Sequence, residues 1–192
     1  MDKVPETKER LLTTALSIFS RRGYETSSIQ EIVNEVGISK PTLYYYFGNK
    51  QGLLEAIASE YGTPLLELTT KTAKYEHNLV MNLTGLFREI LSFALRQREF
   101  FRLFTSLFSA APETSAYTVG NGMRRRLTAI LEKLFEEASQ DHGNMRNRQQ
   151  MYAESFFGQI QTWALLAIND EINLTEELQF KIIHQYMHGI FS

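Results

Sequence analysis

The chain has 192 residues, of which 43% are hydrophobic and 12% are aromatic, with four prolines, eleven glycines and no cysteine. This composition is sufficient for a sizeable core in one or two domains, and it excludes collagen-like chains, disulfide scaffolds and thiolate-ligated zinc sites. The net charge of −2 argues against a generally basic surface that binds nucleic acid.

The charge is unevenly distributed. Residues 1–52 contain seven Lys/Arg and six Asp/Glu, whereas the remainder contains thirteen and sixteen. Between residues 36 and 54 the charged residues are Lys40 and Lys50, so this segment is a small cationic spot that can bind phosphate weakly. The charged N-terminus does not resemble a signal peptide, and no apolar run approaches about 20 residues, so we expect a cytoplasmic protein without a membrane span.

Three helices are predicted at the start of the chain. The first covers residues 6–23, where apolar residues recur with helical spacing at Leu11, Leu12, Ala15, Ile18 and Phe19. A short second helix begins after Ser27 or Ser28, each of which has a Gln or Glu three residues later for a capping box. It ends at Gly37, and a third helix starts with Ser39 as N-cap and Pro41 in its first turn. Two short helices joined by a tight turn predict a helix-turn-helix.

The third helix, in "SKPTLYYYF", has two contrasting faces. At 100° per residue, Leu43 and Phe47 share the face turned to the core. The outward face then presents hydroxyls, a methyl group and an ammonium, which suit phosphate oxygens and base edges in a major groove; its residues are Lys40, Pro41, Thr42, Tyr44 and Tyr45. The alternative is that the tyrosines cap a small core or line a protein contact, but this face on the second helix of a turn motif favours DNA.

The rest of the chain is also predicted to be helical. A fourth helix is expected over residues 51–61, ending where Gly62 and Pro64 break it. Further helices are expected near residues 64–75, 77–97, 99–109, 118–140, 147–169 and 175–190. We therefore predict an all-α protein, with an N-terminal three-helix DNA-binding domain at residues 1–50. Residues 51–192 form a C-terminal helical domain that binds an effector and dimerises.

The segment "GYETSSIQEIVNEVGISKPTLYYYFGNKQGLLEAI" resembles the signature of the TetR family of bacterial transcription regulators. The likeness covers about the first 55 residues, and beyond them only length and helical character agree. It implies a homodimer, operator DNA as a partner and a small-molecule effector in the C-terminal domain. The predicted function is therefore a ligand-responsive regulator, a repressor or less often an activator.

The resemblance also implies roles for single residues. The positions at which the family reads bases, or contacts the DNA backbone beside them, are occupied here by Gln30, Lys40, Pro41, Thr42 and Tyr44. The positions at which it binds phosphates are occupied by Ser27, Ser28, Ser39, Tyr45, Tyr46 and Lys50. Two positions depart from the family pattern. Pro41 stands where many members have a small residue, and Gln30 where many have arginine, so adenine rather than guanine is the base that Gln30 suits.

Two apolar stripes near the C-terminus predict the dimer surface, as an intermolecular four-helix bundle. Their residues are Phe156, Ile160, Ile183, Tyr186, Met187 and Ile190. The alternative is that both stripes face the core of their own chain.

An effector cavity is predicted where aromatic residues are dense. Its residues are Phe87, Phe93, Phe101, Phe104, Phe108, Met123, Phe157 and Trp163. Such a wall suits a hydrophobic or amphipathic effector, although ordinary core is the better explanation for any single phenylalanine.

No cofactor or metal is predicted. His184 and His188 are four residues apart on the last helix, but no cysteine or nearby carboxylate completes a zinc site. Two other functions stay open, namely an architectural DNA-binding protein without an effector and a helical-bundle enzyme. The sequence contains no phosphate-binding loop, HExxH motif or Glu-x-x-His pair, so we do not expect an enzyme.

Overall fold

The computed structural model describes residues 3–189, apart from the side chains of residues 3–5 and 144. In this part of the chain there are nine α-helices, one short 3-10 turn at Gly143–Met145 and no strand, which confirms the predicted all-α class. The helices are α1 Lys3–Arg22, α2 Ile29–Val36, α3 Lys40–Phe47, α4 Lys50–Thr72, α5 Leu79–Arg96, α6 Arg98–Phe108, α7 Ser115–Ala138, α8 Gln149–Ile168 and α9 Glu176–His188. None of them is long and apolar enough to cross a membrane.

The fourth helix does not end where it was predicted to end. α4 continues through Gly62 and Pro64 to Thr72, so the two helices expected over residues 51–61 and 64–75 are one. Proline removes one backbone hydrogen bond, but Pro64 is exposed, and so is Glu60, whose carbonyl would have accepted that bond. Leu65 and Leu66 directly after it are buried, and the burial of this apolar face outweighs the lost bond.

The chain divides into two compact units. The first contains the residues through Thr63 together with Glu99–Met123, and the second contains Pro64–Arg98 together with the residues from Arg124 onward. The chain passes between the two units inside α4, between Arg98 and Glu99 at the start of α6, and inside α7, and not between residues 50 and 51. The assignment of DNA binding to residues 1–50 and of effector binding and dimerisation to residues 51–192 concerns function and stays a prediction.

In the first unit, α1 packs on α2 and α2 packs on α3 around fully buried Leu11, Phe19 and Leu43. α6 and the start of α7 belong to the same unit and contact the N-terminal helices through side chains. Ser17 of α1 donates to the carboxylate of Glu99 at 2.7 Å. This packing explains why α6 groups with the N-terminal helices, which no local sequence pattern indicates.

In the second unit, α5 packs against α8 and α9. The core contains the buried aromatic side chains Phe87, Phe135, Phe156 and Phe157. Asn82 of α5 is buried, and its amide donates to the carbonyl oxygens of Thr72 and Lys74 at 3.0 and 2.9 Å. The end of α4 and the following loop are thereby fixed to α5.

Candidate nucleic-acid interface

The turn between α2 and α3 has the predicted geometry. Ser28 is the N-cap of α2 and accepts from the Glu31 amide at 3.2 Å. Gly37 follows α2 in the left-handed region with φ of 77°, where a side chain would be strained. Arg10 of α1 donates to the carbonyl of Val36 at 2.9 Å, so the end of α2 is attached to α1. The position of α3 is therefore set through α2, which packs on α3 and is itself attached to α1.

The two faces of α3 are oriented as predicted. Leu43 is fully buried and Phe47 is 9% exposed, whereas Tyr44 and Tyr45 are 44% and 82% exposed. Tyr46 lies between the two faces and is half-buried, with its ring 5.4 Å from that of Tyr45 in an edge-to-face contact. A ring as exposed as that of Tyr45 contributes little to folding by burial and is accessible to a partner.

The hydroxyl groups at the start of α3 are linked to each other. Ser39 caps the helix, and its hydroxyl oxygen lies 2.9 Å from that of Thr42. Both side chains remain accessible, next to the exposed Lys40 and Pro41. Because the first amides of a helix lack intrahelical partners and carry partial positive charge, this end of α3 is suited to a phosphate.

Lys50 occupies a more constrained position than a free surface cation. Its ammonium donates to the carbonyl of Glu25 at 3.2 Å and lies 4.3 Å from the ring centre of Tyr24. Desolvation by burial lowers the pKa of Lys50, and the charge of Glu25 opposes this shift. An ammonium has three donors, so two remain for a phosphate while one fixes the loop before α2.

The other predicted DNA contacts divide into exposed and buried groups. Gln30 and Ser28 are exposed, and the Gln30 amide donates to Asn34 at 2.7 Å, which leaves its carbonyl oxygen available. The structure does not support the prediction that Ser27 binds a phosphate. It is 4% exposed and its hydroxyl donates to the carbonyl of Gly23 at 2.7 Å, so it lies inside the protein and is not available to a phosphate.

The sequence interpretation missed Asn49. Its side-chain oxygen accepts from the Gly52 amide at 2.8 Å, so Asn49 caps α4 beside Lys50. The signal was present, since an asparagine before a helical segment is a typical N-cap. The start of α4 is thus a second helix N-terminus at this surface, with amides suited to an anion.

The predicted effector residues lie mostly in packed core. Phe87, Phe101, Phe104 and Phe157 are at most 2% exposed, and Phe93 and Met123 are at most 7% exposed. Phe104 and Met123 line a void of about 10 Å³, which holds no more than a water molecule. Phe108 and Trp163 are half-buried. Effector binding by these residues stays a prediction that requires the interior to open.

The predicted dimer residues also need correction. Phe156, Ile160 and Ile183 are at most 2% exposed, so they face the core of their own chain, which was the alternative. The Tyr186 hydroxyl donates to the carbonyl of Tyr152 at 2.8 Å, and desolvation by burial raises the pKa of Tyr186. Ile190 lies outside the described residues.

A larger cleft lies in the second unit. Its volume is about 390 Å³, and Tyr186 and Met187, predicted for the dimer surface, line it instead. None of the eight predicted effector residues lines this cleft. His184 and His188 have ring centres 4.4 Å apart, and residues 3–189 contain no group of three or more His, Asp or Glu arranged to hold a metal ion.

Comparisons with known proteins agree with this geometry. Residues 11–57 match the sequence profile described as bacterial regulatory proteins, tetR family. The chain is similar to the "Uncharacterized HTH-type transcriptional regulator YuxN" of Bacillus subtilis, with 34% identity over 90 residues, covering 45% of this chain and 31% of that protein. It spans between 19% and 33% of the length of the first four curated relatives. These four relatives are named as HTH-type transcriptional regulators.

Solved structures show the same fold along nearly the whole chain. FadR of Bacillus subtilis in complex with stearoyl-CoA has a TM-score of 0.77 and 18% identity, covering 95% of this chain and 98% of that one. AibR in complex with isovaleryl coenzyme A and operator DNA has a TM-score of 0.72 and 24% identity, covering 93% and 96%. Identities this low establish the fold and leave the ligands of this chain open.

Proposed function

Because the chain belongs, through residues 11–57, to the TetR family of bacterial regulatory proteins, we propose that it is a ligand-responsive transcriptional repressor that binds operator DNA. In this proposal α3 enters the major groove. Ser39 and Lys50 contact phosphates, and Thr42 and Tyr44 contact base edges. A regulator of this kind acts in the cytoplasm.

The observation that carries the proposal is the orientation of α3. Leu43 and Phe47 anchor one face, and the opposite face presents Tyr44 and Tyr45 to solvent beside Lys40. Tyrosine rings offer a large contact area with few torsions, and hydroxyls that bind phosphate or base edges. The absence of acidic residues between residues 36 and 54 removes the repulsion that a phosphate would meet there.

The experiment that tests the proposal compares Tyr45→Ala and Tyr45→Phe for binding to duplex DNA by fluorescence anisotropy. Tyr45→Ala removes the exposed ring and is expected to weaken binding by about tenfold, the effect of about 1.4 kcal/mol. Tyr45→Phe retains the ring and removes only the hydroxyl, so it should weaken binding less. Wild-type protein that binds no duplex would overturn the proposal.

The active species in this proposal is a homodimer. One recognition helix makes few contacts, whereas two on a two-fold axis bind two half-sites, the second as an intramolecular event. Phe156, Ile160 and Ile183 are buried, so the candidate surface moves to the exposed side chains of α8 and α9, where Met151 and Phe180 are 56% and 62% exposed. Light scattering with Phe180→Glu tests this surface, with a shift toward monomer as the expected result.

The effector in this proposal is a small hydrophobic or amphipathic molecule. Its support is that the FadR and AibR structures contain acyl-CoA molecules. The effector would favour a conformer whose two recognition helices no longer match successive major grooves. The DNA affinity would then fall by at most the ratio of the effector's affinities for the two conformers. Addition of an acyl-CoA should then release the DNA and change the tilt of residues 51–61.

A further inference from the structure

The ammonium of Lys50 is held by two groups that carry no charge. It donates to the carbonyl of Glu25 at 3.2 Å and lies over the ring of Tyr24, 4.3 Å from the ring centre. Among the residues that the structure describes, Lys50 forms no salt bridge with a carboxylate. Arg22 at the end of α1 differs, because its guanidinium is paired with the carboxylate of Glu31. Lys50 is therefore fixed in position without being neutralised.

An aromatic ring is suited to this arrangement. The face of the ring has a negative electrostatic potential that attracts a cation, and the attraction is stronger where water is excluded. Tyr24 is 6% exposed, so its ring belongs to the core, and Lys50 is half-buried against it. Because the ring has no net charge, the positive charge of the ammonium remains available to an anion.

The ring of Tyr24 is itself held in one orientation. Its hydroxyl lies 3.1 Å from that of Ser115, the first residue of α7. Its ring centre lies 5.1 Å from that of the fully buried Phe19, and the two rings meet edge to face at 76°. A ring held by both contacts presents a constant face to the ammonium.

The backbone of Lys50 is fixed as well. Lys50 is the first residue of α4, and only Gly48 and Asn49 separate it from the end of α3. The Asn49 amide donates to the carbonyl of Phe47 at 2.8 Å, and a Cβ at Gly52 would lie 2.0 Å from the same oxygen. The start of α4 is thus packed tightly against the end of α3, so Lys50 has a fixed position relative to the proposed recognition helix.

This order bears on the affinity for a phosphate. Immobilising a flexible side chain such as lysine at an interface weakens binding by about two- to tenfold. In this protein the side chain of Lys50 is ordered during folding, by Tyr24 and by the carbonyl of Glu25. A phosphate that approaches Lys50 therefore meets a cation that is already in place.

We propose that Tyr24 is a positioning residue for DNA binding, whose ring holds the ammonium of Lys50 ordered and charged for contact with a phosphate. This role rests on the proposed function, in which Lys50 contacts the DNA backbone. It deepens that function by a residue that lies in the core and acts through Lys50.

The test is a double-mutant cycle of Tyr24→Leu and Lys50→Ala in binding to mixed-sequence duplex DNA, measured by fluorescence anisotropy. We expect Tyr24→Leu to weaken binding by about fivefold for each half-site, within the range for one ordered side chain. The same substitution should have no effect in the Lys50→Ala background, because no ammonium remains to be positioned. Equal weakening in the two backgrounds, or no weakening by Tyr24→Leu alone, would overturn the proposal.

Two further variants separate the aromatic face from general packing. Tyr24→Phe retains the face and should bind DNA nearly as tightly as the wild type. Tyr117→Leu removes a half-buried tyrosine of α7 in the same unit and should leave the affinity unchanged. Tyr24→Phe that binds as weakly as Tyr24→Leu, or an equal loss in Tyr117→Leu, would overturn the role of the face. Thermal unfolding shows that each variant is folded before it is titrated.

A measurement without DNA tests the geometry on the wild-type chain itself. In its NMR spectrum the ε-methylene protons of Lys50, assigned by their loss in Lys50→Ala, should be shifted upfield by the ring current of Tyr24. The shift should persist in Tyr24→Phe and vanish in Tyr24→Leu. Unshifted protons in a chain that binds duplex DNA would overturn the role of Tyr24 alone. A wild-type chain that binds no duplex would overturn the proposed function, and the role of Tyr24 with it.

Discussion

The hydroxyl of Tyr24 lies 3.1 Å from the hydroxyl of Ser115 and joins the turn after α1 to the first residue of α7. Burial raises the pKa of Tyr24, and the hydrogen bond with Ser115 opposes this shift. The ammonium of Lys50 also lies over the face of the Tyr24 ring. One buried tyrosine thus contacts both the start of α7 and the cation proposed to bind phosphate.

The contact between Tyr24 and Ser115 should contribute measurably to stability. We expect a double-mutant cycle of Tyr24→Phe and Ser115→Ala to give a coupling of about 0.5–1.5 kcal/mol, the net value of a hydrogen bond in a partly buried site. Urea unfolding of the four proteins provides the free energies. If the two single effects simply add, the hydrogen bond does not form in solution.

Gly120 is required where α7 crosses α6. A Cβ at this position would lie 2.5 Å from Cβ of Leu107 and 2.9 Å from its backbone carbon. Gly120→Ala should therefore destabilise the protein by about 1–3 kcal/mol, because the two helices must move apart. The matched control is Gly122→Ala, which meets no atom within 4 Å and should stabilise the same helix by about 0.5–1 kcal/mol. Equal changes in the free energy of unfolding for Gly120→Ala and Gly122→Ala would contradict the close contact of α6 and α7 at Gly120.

Cations and hydroxyls of the proposed DNA-binding surface should have different effects on binding. Lys50→Ala should weaken binding to every sequence and reduce the salt dependence by about one unit of slope per half-site. Thr42→Ala and Tyr44→Phe should instead change the preferred sequence, since we propose that their groups face the base edges. Anisotropy titrations at several salt concentrations measure both quantities.

The control for this comparison is Lys133→Ala, which removes an exposed cation of α7 outside the helix-turn-helix. It should change neither the slope nor the preference. Variants of Thr42 and Tyr44 that behave like Lys50→Ala would show that these side chains bind phosphate and do not read bases.

Acid should weaken the cluster of Tyr75, His77 and Asp141. A carboxyl whose pKa is lower in the folded state contributes stability above its ordinary pKa, here 3.8, and loses it as the pH falls through the folded-state pKa. Asp141→Asn removes this contribution, so its unfolding temperature should fall less than that of the wild type between about pH 6 and pH 2.5. Parallel curves for the two proteins would show that the cluster does not form in solution.

The helix-turn-helix could be predicted because its signals are local. Ser28, Gly37 and Ser39 each determine the conformation of their own segment, and the spacing of Leu43 and Phe47 determines which face of α3 is buried. The adjacent Ser27 shows the limit of such signals. Two neighbouring serines are equivalent as caps in the sequence, and only the structure shows that one caps α2 and the other is buried.

Tertiary contacts between distant parts of the sequence could not be predicted in the same way. The two stripes that contain Phe156 and Ile183 show which helix faces are apolar, but the same pattern is typical of a core within the chain and of a contact between chains. Likewise, Pro64 ends helices locally, and only the burial of Leu65 and Leu66 keeps α4 intact. The cleft depends on contacts such as that of His77 with Asp141, 64 residues apart, which no motif records.

The central claim is that the outward face of α3 lies in a major groove, twice per homodimer. Its most direct test is selection of bound fragments from a pool of random duplex DNA by the purified chain. The account predicts an inverted repeat with half-sites about 10 base pairs apart or a multiple of that distance, and its loss with Tyr44→Ala. Recovery of no enriched sequence, or of the same inverted repeat by Tyr44→Ala, would contradict it.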